Sequence, residues 1–267
     1  MVSPGRKSTF QAGLKRGNSL CAVLMLVLFL VEMAQSGESS RNPRQMVNTG
    51  EIVEKMVRMN LQRADALQAY QSTRIYKLQY HGFPGSRSAE MVVLMKYVAP
   101  GTKEFIIQSS TGSRLVVEKV FKKLLESEKE ASETQNQALT ALTPANYVFT
   151  LLEYQEGSGS ERPTYLLAVE PKNPSKFLYR GKIWIDAEDF AVVRLEAQPA
   201  KNPSFWTKNT TIEHRYIKVN DFWFPYSNHS VSEVRLGGRA DLEIEYKDYQ
   251  ITAAHLLPTS SLANAAK

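Results

Sequence analysis

The chain of 267 residues has one cysteine, Cys21, and it lies inside the most apolar stretch of the sequence. A disulfide within the chain is excluded, and loss of Cys21 with a leader would also remove any thiolate nucleophile or thiolate metal ligand. The histidines His81, His214, His229 and His255 show no HxxxH-type spacing, so zinc ligation has no support. No GxSxG marks a nucleophile elbow, and Gly157-Ser158-Gly159-Ser160 reads as a flexible loop. No apolar run reaches the roughly 18 residues that span a bilayer. No long basic run tracks phosphates, which argues against a nucleic acid partner. Without a nucleophile, metal cluster or paired carboxylates, the residues describe a non-enzymatic protein that needs no cofactor.

What is present starts with targeting chemistry. Arg6, Lys7, Lys15 and Arg16 precede the apolar run Cys21 to Val31, and Ala34-Gln35-Ser36 offers a small-x-small cleavage site. That order predicts a secretory signal peptide over 1–36, cleaved near Ser36, and no stable membrane span afterwards. The remainder carries 29 Lys+Arg against 26 Asp+Glu, a net +3 where the whole chain has +6. Residues 37–46 form a polar leader and 253–267 a flexible tail without periodicity, which leaves 47–252 as the folded domain.

Within that domain Asn48 stands three residues before Glu51, a capping pattern. It predicts a helix from Gly50 to Gln68 that buries Val53, Met56, Val57, Leu61, Ala64 and Leu67. Strand-like runs follow at Thr73 to Gly82, Glu90 to Val98 and Lys103 to Ser109. A second helix begins at Ser113, buries Val117, Val120, Phe121, Leu124 and Leu125, and passes into the polar stretch 126–137, which reads as a helix end and loop before Pro144. Everything after Pro144 is a succession of short strands, with Phe222 to Tyr226 and Ser230 to Leu236 among them. The expected fold class is mainly β (α+β): a half-open antiparallel β-barrel of about ten strands with two lid or plug helices.

The stretch 180–197 alternates with period two on both sides of an acidic turn, as a hairpin with one dry face does. Tyr179, Ile183 and Ile185 share that face with Val193 and Leu195. Leu78 and Tyr80 on the first strand and Leu242, Ile244 and Tyr246 on the last complete a candidate cavity lining. Asp186, Glu188 and Asp189 at the hairpin tip read as a solvated turn rather than a cation site. Phe205-Trp206 and Phe222-Trp223-Phe224, beside Pro203 and Pro225, are either barrel-corner packing or a ring of aromatics at a mouth. Met56, Met91 and Met95 are adaptable lining or ordinary core.

The capped first helix, the long meander, the second helix after the third strand, and the stretches GKIWIDAEDFAVVRLEAQPAKNPSFW and LGGRADLEIEYKDYQI together resemble the bacterial outer-membrane lipoprotein-sorting proteins of the LolA/LolB/RseB-like superfamily. The resemblance covers 47–251. It implies an unclosed barrel lidded by helices, whose apolar hollow accepts lipid or lipoprotein acyl chains in the periplasm. A bacterial host would leave the sequons at Asn209 and Asn228 bare. Well-studied members place an arginine before a proline at the end of an early strand, where it helps to hold the lid. The matching stretch here, Met95 to Pro100, has none. The second reading of the same fold is a packed-core envelope regulatory or scaffold domain that binds protein rather than lipid, as the sensor branch of the superfamily does.

Overall fold

A computed structural model describes residues 48–202, 207–235 and 237–254. The expected signal peptide, leader and most of the tail, together with Phe205-Trp206, fall outside them. Helix α1 (Thr49–Ala66) starts where its cap requires: Asn48 Oδ1 accepts a hydrogen bond from the Glu51 N–H at 3.0 Å. Its buried stripe is Ile52, Val53 and Met56 and then Arg63, whereas Leu61 is 60% exposed. The expected stripe is therefore correct at its start and wrong further along, because the second half of α1 is held by arginine hydrogen bonds.

Ten strands follow: β1 (Leu67–Gly82), β2 (Arg87–Val98), β3 (Thr102–Gly112), β4 (Tyr147–Gln155), β5 (Thr164–Pro171), β6 (Tyr179–Asp186), β7 (Val192–Pro199), β8 (Thr207–Val219), β9 (Phe222–Val234) and β10 (Gly238–Ala254). They form one antiparallel sheet in the order β3-β2-β1-β10-β9-β8-β7-β6-β5-β4. Its edges, β3 and β4, do not pair with each other among the described residues, so the barrel is half open. The connection from β3 to β4 must carry the chain from one edge to the other. It does so through α2 (Arg114–Val116), a π-helical turn (Val117–Phe121), α3 (Lys122–Ser132) and α4 (Thr134–Thr140). The polar stretch expected to be a helix end and loop is thus the end of α3 and, in place of the loop, the start of α4. The two runs expected around Pro225 are the single strand β9. Proline is tolerated there because β9 pairs with β10 only from Ser227 to Glu233, which leaves Pro225 outside that ladder.

Each helix covers one half of the inner face. Ile52, Val53 and Met56 of α1 pack on Leu167, Ile183, Ile185 and Leu195 of β5 to β7. Val116, Val117, Phe121 and Leu125 of the second helical segment pack on Tyr76, Leu78, Met91, Val93, Ile244 and Tyr246 of β1, β2 and β10. Phe222 and Phe224 join Ala66 in a third cluster, the corner-packing role. Met56, Met91 and Met95 have no exposed surface and are core.

Candidate functional site: the inner face between the two helices

The strand register lays one continuous row across eight strands: Leu167, Ile183, Leu195, His214, Asn228, Ile244, Tyr76 and Met91 are successive cross-strand partners. Both ends of the row are apolar and lie under helices, while its centre is His214 and Asn228. The neighbouring row repeats the pattern, with Ser230 between Ile212 and Leu242. A polar strip on β8 and β9 therefore separates two apolar clusters.

The ten expected lining residues divide between those clusters. Ile183, Ile185, Leu195 and Tyr179 lie in or against the one under α1. Leu78, Tyr80, Leu242, Ile244 and Tyr246 lie in or against the other. Val193 belongs to neither. A β-bulge between Trp184 and Ile185 makes Val192 the partner of Ile185 and packs Val192 against the α1 cluster, leaving Val193 half-buried.

The strip itself is aromatic as well as polar. The Arg74 guanidinium lies 5.1 Å from the Tyr246 ring, Tyr246 stacks on His214 at 5.9 Å, and His214 stacks on Tyr216 at 4.7 Å. Burial pushes the Tyr216 phenol up to about 12 and lifts Tyr179 well above its ordinary value. Burial likewise lowers His214 to about 4, so its ring is neutral at pH 7. Yet Tyr179, His214 and Tyr216 all keep accessible surface.

At one end of the strip Arg74, 3% exposed, holds α3 through Glu128, with Nη1 to Oε2 at 2.5 Å and Nη2 to Oε1 at 3.1 Å. Lys103 adds a third contact to the same carboxylate at 2.6 Å. Burial works against the Glu128 charge, but Arg74 and Lys103 outweigh it and hold the group down at about 2. An arginine does fasten the helix, then, but from β1 rather than from the stretch before Pro100. Sequence reasoning missed it; its one signal was a charged residue at the parity of Tyr76 and Leu78.

The acidic hairpin tip differs from expectation. Asp186 has no exposed surface. Its Oδ1 accepts the N–H groups of Glu188 and Asp189, and Arg162 grips both of its oxygens at 2.5 and 2.9 Å. Arg63 of α1 donates to the carbonyls of Asp189 and Phe190. Phe190 has φ of 50°, a left-handed conformation that this anchoring offsets. The turn is a structural clamp on α1, not a solvated loop.

The opposite face of the sheet carries a groove of about 740 Å³ across β4 to β9. Thr150, Lys182, Glu196, Glu213 and His229 line it in cross-strand succession, through Ala168. No helix among the described residues is long and apolar enough to cross a membrane.

No family model matches the sequence, and no curated protein matches it. Among solved structures the chain is similar to a Vibrio parahaemolyticus domain named for outer membrane lipoprotein sorting, at 12% identity and a TM-score of 0.40 over 77% of this chain and 94% of that one. A LolA superfamily protein from Nitrosomonas europaea matches at 12% identity and a TM-score of 0.32, over 78% and 94% of the two chains. A chain of the Pseudomonas aeruginosa MucA/MucB complex matches at 10% identity and a TM-score of 0.25, over 75% and 100%.

Proposed function

We propose that this protein is a non-enzymatic periplasmic carrier or sensor that binds lipid or lipoprotein acyl chains on the inner face of its half-open sheet. The observation that carries this reading is the inner row itself, where the half-buried His214 and Tyr216 lie between two apolar clusters, each under its own helix. An acyl chain needs apolar walls and width rather than directional partners, and each buried methylene contributes about 0.8 kcal/mol. Release then requires a partner of higher affinity. Native mass spectrometry of protein purified from a periplasmic extract tests the reading. Co-purified acyl chains support it, and empty protein in repeated preparations removes it. Amino-terminal sequencing of the exported form is expected to begin at or near Gly37, whereas an intact Met1 in a membrane fraction would remove the soluble-carrier form of the proposal.

A second reading, a packed-core envelope domain that binds protein, is favoured by two observations. Leu167, Ile183 and Ile185 have no exposed surface under α1, and the polar groove lies on the other face. Retention of an envelope protein by lipid-free preparations, lost when Lys182 and Glu213 are both replaced by alanine, would decide for it.

A further inference from the structure

Two cations share one carboxylate where β1 and β3 meet α3. Arg74 and Lys103 both point at Glu128, and among the described residues neither cation has a second carboxylate within ion-pair distance. His214 is neutral at pH 7, so it does not alter that balance, and Tyr76 and Tyr246 beside Arg74 are uncharged phenols. Buried donors at the same place lack acceptors. Among the described residues Arg74 Nε and Ser72 Oγ make no hydrogen bond, with Arg74 3% and Ser72 1% exposed; neither does the buried His214 Nε2. Ser72 and Arg74 are two residues apart on β1 and share its inward parity. An N–H without an acceptor is costly in an apolar interior, and the buried Arg74 shares its one carboxylate with the partly exposed Lys103.

We infer that the acyl ligand is anionic, and that its carboxylate or phosphate group docks against Arg74 and Ser72 while its chain lies along the Tyr246, His214 and Tyr216 stack. This deepens the acyl-binding reading and rests on it. A ligand oxyanion supplies the acceptor that Arg74 Nε lacks and the negative charge that Glu128 alone does not provide. A neutral ester or alcohol of the same chain supplies neither.

Isothermal titration of the full chain with oleate, methyl oleate and oleoyl lysophosphatidate tests this. Oleate is expected to bind at least about tenfold tighter than methyl oleate, or about 1.4 kcal/mol. Arg74→Gln is expected to abolish that preference while methyl oleate affinity stays. Ser72→Ala, which leaves the ion pairs intact, is expected to reduce the preference by roughly threefold and serves if Arg74→Gln does not fold. Tighter lysophosphatidate than oleate assigns the anion to a phospholipid headgroup, and the reverse assigns it to a free fatty acid; either upholds the inference. Equal affinity for oleate and methyl oleate overturns the anionic site and leaves acyl binding standing. No binding of any of the three overturns both.

Discussion

Arg74 on β1 and Glu128 on α3 form a two-pronged ion pair, at 2.5 and 3.1 Å, that ties the edge-to-edge helical passage to the inner face of the sheet. Removing Glu128 leaves Arg74 charged and buried, whereas removing Arg74 leaves the half-buried Glu128 to Lys103 alone. Glu128→Ala is expected to cost about 3–5 kcal/mol, whereas Arg74→Met combined with Glu128→Leu should cost clearly less than the sum of the single changes. A double-mutant cycle by urea denaturation measures the coupling. A value near zero would mean that the apolar contacts of Phe121 and Leu125 alone hold the helix.

Acid is expected to weaken the fold in two windows. His214 is a base whose folded value, about 4, lies below its ordinary 6.5, so its contribution is complete above pH 6.5 and is lost as pH falls toward 4. Glu128 is a carboxylate depressed from 4.5 to about 2, so its contribution is complete above pH 4.5 and is lost as pH falls toward 2. The denaturation midpoint of His214→Gln should therefore be flatter than wild type between pH 6.5 and 4 and parallel to it below. A wild-type midpoint that does not change across the upper window would show that His214 is solvated.

The hairpin tip offers a third test. Asp186→Ala removes the acceptor of two backbone N–H groups and leaves Arg162 only its contacts with Glu188 and Asp189, at 2.8 and 3.4 Å, an expected loss of about 3 kcal/mol. Glu188→Ala, at an exposed position of the same turn, should stay within about 0.5 kcal/mol. Thermal melts of the two variants check the contrast, and similar values for both would mean that the tip is a solvated turn after all.

Packing density gives the fourth. Ile183 has no exposed surface beneath α1, so Ile183→Ala should cost the about 2–5 kcal/mol typical of a filled site. Val193→Trp, at the half-buried bulge, is expected to cost less than about 1.5 kcal/mol. Denaturant unfolding that ranks the two in the opposite order would put Val193 inside the core.

Much of this fold was legible because period and caps are local signals. Asn48 and Glu51 announced α1, and the alternation of Leu242, Ile244 and Tyr246 announced β10. What escaped depended on partners distant in sequence. Arg74 looks like any strand arginine until Glu128, 54 residues on, is placed over it. Val193 fits the dry parity perfectly well, and only the bulge opposite Ile185 displaces it. His214 sits in a strand of polar alternation, so its place at the centre of an eight-strand row follows from register alone. Asp186 reads as a turn acid because nothing local shows that Arg162 will cover it.

The central claim is that an acyl chain enters the strip between the helices, and brominated-lipid quenching tests it most directly. Tyr216→Trp, in a background with Trp184, Trp206 and Trp223 replaced by phenylalanine, places one fluorophore beside His214. Saturable quenching of that fluorophore by dibromostearate, competed away by unlabelled stearate, is the expected result. Folded protein whose fluorophore at this position is not quenched at any lipid concentration below micelle formation would contradict the account.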